Sequence, residues 1–136
     1  MNTIRKYNPE TDYKQICFWS KSMNQPTPPK EALPATTFIL ENSSGAAWLC
    51  VSLICTNSKH IAWVEGLLSN PDLPKTNRKF AVDELMNSVG DYAKSLGYKN
   101  VFLMAPNEKL MKRYKALGYV PTMTGITSMI KTLGGK

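Results

Sequence analysis

The stretch VFLMAPNEKLMKRYKALGYV, residues 101–120, joins a strand to a helix. Val-Phe-Leu-Met is a short apolar run of strand composition, and Ala-Pro-Asn breaks it and supplies Asn107 as the N-cap of a helix. That helix sets Leu110, Met111, Tyr114 and Leu117 on one side. It stops at Gly118, the residue type that most readily takes the left-handed conformation past a helix end. At ~1.5 Å rise per residue, Asn107 and Tyr114 lie roughly 10 Å apart along the axis and near one face, close enough to hold two parts of one extended ligand. Taken singly they are a capping asparagine and a packed tyrosine. Their joint spacing is what points to a site.

Upstream, Phe80, Val82, Leu85, Met86, Val89, Ala93 and Leu96 form the apolar stripe of a long helix ended by Gly97, and Leu96-Gly97-Tyr98 is echoed by Leu117-Gly118-Tyr119. Before it come three extended segments, residues 36–41, 46–56 and 60–69. Asn42-Ser43-Ser44-Gly45 and Asn57-Ser58-Lys59 separate them as hairpin connections. The middle segment, AAWLCVSLICT, is apolar on both faces and belongs inside a sheet. The third, HIAWVEGLLSNP, sets Glu65 in an otherwise apolar strand, followed by Gly66 where a side chain would block close backbone approach. A desolvated carboxylate suits a general base for an ammonium substrate at neutral pH. His60, the only histidine, reads as an exposed turn residue at the hairpin mouth.

At the start of the chain, residues 3–7 read as a strand and Asn8-Pro9-Glu10 as helix-start chemistry. The helix that follows lays Tyr13, Ile16, Cys17, Ser20 and Met23 on the core, with Phe18 and Trp19 widening that face. Prolines 26, 28, 29 and 34 make residues 24–34 a long surface connection, a place for a substrate entrance or a stiff linker. At the other end, Ile126, Met129 and Ile130, split by Gly125, predict a closing hairpin over residues 120–132.

The spacing N-x-x-[A/L]-x-x-x-Y-x-x-x-G-[F/Y], here Asn107, Leu110, Tyr114, Gly118 and Tyr119, resembles the late strand–helix segment of the GNAT superfamily, the acyl-CoA-dependent N-acetyltransferases. The run from Val64 to Leu68 resembles that family's central strand. The resemblance implies an α+β fold in one domain over residues 1–136, ordered β-α-(α)-β-β-β-α-β-α-β-β. Its mixed, mostly antiparallel central sheet carries helices on both faces and is splayed between the Glu65 strand and the Val101 strand. It further implies acyl transfer from acetyl-CoA to a primary amine of a small molecule or protein. Glu65 would be the base, the backbone of Leu67, Leu68 and Ser69 would pair with the pantetheine amides, Asn107 would position that arm, and Tyr114 would protonate the leaving thiolate.

One part of the family pattern is missing. The pyrophosphate loop [Q/R]-x-x-G-x-[G/A] has its glycine places at Phe80 and Val82, and a β-branched valine does not readily take φ > 0. Thr76 or Asn77 would instead cap an earlier-starting helix, with Lys75, Arg78 and Lys79 providing charge. The alternative is a catalytically silent GNAT-like interaction or structural protein, of the phage-encoded type.

The totals limit the remaining classes. With 43% hydrophobic and 20% charged residues in 136, the chain reads as globular rather than disordered, and it has no apolar run of the ~20 residues a membrane span needs. Cys17, Cys50 and Cys55 show no metal spacing and are odd in number, which suits a reducing cytoplasm. The formal charge is +7, and it is uneven: residues 1–71 carry six Lys and Arg against five Asp and Glu, whereas residues 72–136 carry eleven against five. A positive C-terminal half would draw an anionic partner, coenzyme A or a nucleic acid; a silent domain would bind a protein or nucleic acid through it, and an enzyme of this kind could modify a nucleic acid base.

Overall fold

The computed structural model describes residues 2–134, and the chain divides into two compact units, residues 1–104 and 105–136. The first unit holds a five-stranded sheet, in order β1 (Thr3–Lys6), β2 (Thr37–Glu41), β3 (Ala47–Ile54), β4 (Ile61–Ser69) and β5 (Asn100–Phe102). Neighbouring strands are antiparallel except β4 and β5, which are parallel. The apolar middle strand is β3, inside the sheet as its composition predicts. Helix α1 (Pro9–Ser22) follows β1, a 3-10 turn (Lys30–Ala32) interrupts the proline-rich connection, and helix α2 (Lys75–Ser95) links β4 to β5.

Register and packing assign the two faces. Ile39 on β2 is opposite Cys50 on β3, and both join Ile16 and Trp19 of α1 in one core cluster with Leu68. Their neighbours Phe38 and Val51 point the other way, where the Phe38 ring meets Tyr92 of α2 edge-on at 5.0 Å. Alternation along each strand therefore puts α1 on one face and α2 on the other. No described helix is long and apolar enough to cross a membrane.

Helix α1 starts where Asn8 Oδ1 accepts the Glu10 N–H at 3.0 Å, with Pro9 at the first position. Its buried face is Asp12, Ile16, Trp19 and Ser20, one step round from the predicted one; Phe18 is 60% exposed. Asp12 is drawn inside because Arg5 grips both its oxygens at 2.8 Å, while the Asn8 N–H donates to it at 2.7 Å. A buried charge requires such pairing. Arg5 also reaches Glu41 at 2.8 Å, tying β1, α1 and β2 together, and its hydrogen bonds hold the Asp12 carboxyl below the ordinary range. In α2 the buried stripe is Ala81, Val82, Leu85, Met86, Val89 and Ala93. Phe80 was expected in it but stands 73% exposed, because at 100° per residue Ala81 takes its place beside Leu85.

The second unit contains α3 (Glu108–Ala116), closed by Gly118 at φ +99°, the left-handed stop its sequence predicts. The closing hairpin predicted over residues 120–132 does not form: the described residues beyond α3 carry no strand, and Val120, Met123, Met129 and Ile130 are exposed. Their apolar positions recur mainly every third residue, which leaves no continuous apolar face at a strand's period of two.

Candidate active site

Strand β4 is paired on both edges only at its start. Ile61, Ala62 and Trp63 face Asn100, Val101 and Phe102 of β5, and there the pairing ends. Residues 64–69 continue along β3 with no described strand on their other side, leaving an open edge of six residues, about 20 Å of backbone. Peptide N–H and C=O groups along such an edge need partners. Within it the ladder bulges: Ser52 is opposite Glu65 and Cys50 opposite Leu68, so Gly66 and Leu67 together face the single Val51. Gly66 sits at φ +73°, the left-handed first position of this kind of bulge. Among the described residues no heavy atom beyond its chain neighbours lies within 4 Å of where a Cβ would be, so within the protein it is the backbone conformation that requires the glycine. Leu68 is buried, and Leu67 and Ser69 are half-buried.

The register places Glu65 on the α1 side of the sheet, across from Ser52, whose hydroxyl is 2.8 Å from that of Thr37. The apolar setting expected for Glu65 is not found. Buried Ala62 and Val64 point to the α2 face, while Trp63 and Glu65 alternate outward and are exposed. Among the described residues no lysine or arginine pairs with this carboxylate. Beside it, Trp63 and Phe102 meet across β4 and β5 with ring centroids 4.3 Å apart, tilted by 55°. Neither aromatic was singled out from sequence, although Trp63 and Glu65, two apart on a strand, must share a face.

Helix α2 begins at Lys75 after Pro74, which supplies no side-chain cap. Thr76 and Asn77, expected to cap it, lie inside its first turn, where Thr76 Oγ1 donates to Asn77 Oδ1 at 3.1 Å. The early start is as expected: the loop glycine places, Phe80 and Val82, are helical. The first turn has no acidic residue, unlike α1 with Glu10 and Asp12 or α3 with Glu108. Instead Lys75, Arg78 and Lys79 gather there, against the preference of a helix dipole, and the buried Arg78 Nε has no partner among the described residues. These cations and the uncapped N–H groups are suited to an anion such as a pyrophosphate.

The second unit holds the other two predicted groups. Asn107 caps α3, its Oδ1 accepting the Leu110 N–H at 2.9 Å, so its amide nitrogen is what remains to donate to a ligand. Tyr114 is buried, with its ring 5.8 Å from that of Tyr119. Burial, then the neighbouring Tyr119, push its hydroxyl above the ordinary tyrosine range, so it keeps its proton at neutral pH. The first unit thus brings together Glu65, Leu67, Leu68 and Ser69 on one strand and Lys75, Asn77, Arg78 and Lys79 on one helix, while Asn107 and Tyr114 belong to α3.

No family model and no curated protein matches the chain. Solved structures do. The chain resembles Ard1 from Thermoplasma volcanium at 17% identity, over 90% of this chain and 84% of that one, with a TM-score of 0.70. It resembles glucosamine-6-phosphate N-acetyltransferase from Arabidopsis thaliana at 12% identity, over 96% and 99%, with a TM-score of 0.68. It also resembles N-acetylglutamate synthase from Neisseria gonorrhoeae, complexed with coenzyme A and L-arginine, at 16% identity and a TM-score of 0.68, over 84% of this chain but only 26% of that one. At such identities the likeness is one of fold, and the fold is the GNAT acetyltransferase fold.

Proposed function

We propose that this chain is an acyl-CoA-dependent N-acyltransferase acting on a primary amine. The observation that carries the reading is the parting of β4 from β5, which leaves residues 64–69 as an unpaired edge with a carboxylate at its start. That edge fits the two amides of pantetheine, and the uncapped, cation-lined start of α2 fits the pyrophosphate. Acetyl-CoA bound there would supply an activated thioester carbonyl. The backbone of Leu67, Leu68 and Ser69 would align the arm, the Asn107 amide nitrogen would donate to it, and Lys75, Asn77, Arg78 and Lys79 would hold the phosphates. Glu65 would take one proton of the incoming ammonium, directly or through water, and the freed amine would form the C–N bond as the C–S bond breaks. Tyr114, protonated at neutral pH, would give its proton to the departing sulfur, and the new amide nitrogen would shed its surplus proton to solvent.

Calorimetric titration with acetyl-CoA tests the reading. We expect saturable heat that weakens as salt rises, since charged contacts carry part of the affinity. An absence of heat at millimolar ligand rejects it. With an accepted amine, Tyr114→Phe should lower kcat by ~10²-fold or more while leaving acetyl-CoA affinity in place, the size expected for loss of a general acid.

A further inference from the structure

We propose that Trp63 and Phe102, with Glu65, form the acceptor subsite, and that it takes a primary monoammonium carried on a short arylalkyl or alkyl chain. All three side chains belong to one stretch of sheet in the first unit, on the α1 face at the point where β4 and β5 part. Trp63 is 41% exposed, although a tryptophan carries some of the largest apolar surface of any residue. Its ring leans on Phe102 rather than into the core, so the two make one aromatic wall. Two residues along the same strand face stands a carboxylate with no ion pair among the described residues.

Charge and spacing choose the occupant. A carboxylate beside aromatic faces attracts a cation twice, through Coulomb attraction and through the ring quadrupoles. Positions i and i+2 of a strand lie about 7 Å apart, the reach of two or three methylenes between an ammonium on Glu65 and an apolar group on Trp63. An amino sugar lacks an apolar tail for the aromatic wall to cover, and so gains less from it. A polyamine would bring extra positive charge to a chain of formal charge +7, which opposes its approach.

The assignment deepens the acyltransferase reading and rests on it for the fate of the amine, but not for the binding itself. The chain has three tryptophans, so 5-fluorotryptophan labelling yields three fluorine resonances, with Trp63 assigned by Trp63→Phe. Titration with phenethylammonium should move the Trp63 signal to saturation, with spermidine and glucosamine needing at least tenfold higher concentration. Glu65→Gln, at an exposed site, should weaken phenethylammonium at least tenfold. A Trp63 signal that stays fixed, three amines that bind alike, or an unchanged Glu65→Gln affinity overturns the proposal. Binding at Trp63 without acetylation would sink the acyltransferase reading and leave this site standing. Acetylation of phenethylamine with Trp63 unmoved would do the reverse.

Discussion

The sheet is closed on one side and parted on the other. Strands β1 to β3 are paired along their length, with one irregularity at Leu40 and Glu41, and the β1 side is clamped by Arg5 to Asp12 of α1 and to Glu41 of β2. Strand β4 pairs with β3 on either side of the bulge at Gly66 and Leu67, yet touches β5 over three pairs and has no described strand on that side beyond them. Where backbone groups are satisfied inside the protein, side chains are free to serve packing. Where they are not, β4 carries a left-handed glycine, an exposed carboxylate and the exposed Trp63, which leans on the half-buried Phe102 of β5. Substitutions on the closed side should therefore cost stability and spare ligand binding, and substitutions on the parted side should do the opposite.

The largest expected effect lies in the closed ladder. Leu53, fully buried opposite Val64, leaves a cavity when cut to alanine, and Leu53→Ala should cost about 2–5 kcal/mol in denaturant unfolding. Acetyl-CoA affinity of the folded fraction should stay within about twofold, because Leu53 shares the α2 face with Val64 while Glu65 stands on the other face of the sheet. A large affinity loss would erase the contrast between the two sides.

Next is the clamp at the β1 side. Asp12 has a lowered carboxyl pKa because Arg5 bonds its charged form, so its contribution is full above the unfolded value near 3.9 and is lost as pH falls through the folded value. Asp12→Asn should cost about 1.5–3 kcal/mol at pH 7, as for hydrogen bonds to charged groups, and flatten the fall in stability below about pH 4. A variant with the same acid-unfolding curve as the wild type would show that other carboxylates set that limb.

The sequence was most readable where a single period or cap decides the outcome. Asn8 and Asn107 cap, Gly118 stops a helix, and the Leu-Cys-Val run of β3 lies inside the sheet, because each rests on local stereochemistry. The parting of β4 from β5 came from the family resemblance rather than from any residue count. The misreadings have a common cause, since a face is fixed by what packs against it. Phe80 gave way to Ala81, Phe18 was left outside while Asp12 was drawn in by a distant Arg5, and Glu65 turned out exposed. The reason for Gly66 was likewise unreadable, because a bulge exists only in the register of two strands. The closing hairpin failed on a period of three that invited a strand without being one.

The parted side should respond more in binding than in stability. At Gly66 a methyl group meets open space, so Gly66→Ala suffers only the left-handed backbone, about 1–2 kcal/mol. If the variant escapes that strain by flattening the bulge, the strand beyond it shifts by one residue and its side chains change face. Acetyl-CoA affinity should then fall by tenfold or more, out of proportion to the stability loss. Equal stability loss with unchanged affinity would detach the bulge from the ligand edge.

Asn107 gives the smallest effect and the finest division, because one side chain holds a structural acceptor and an uncommitted donor. Loss of the cap in Asn107→Ala should cost about 1 kcal/mol. Asn107→Ser retains an oxygen for the Leu110 N–H and should recover most of that stability, while lacking the amide nitrogen. If the nitrogen serves the pantetheine arm, both variants bind acetyl-CoA about tenfold more weakly, the size of one lost hydrogen bond, though only the alanine is less stable. If serine restores affinity together with stability, the residue acts on the ligand only by holding the start of α3, and the donor role is removed from the site.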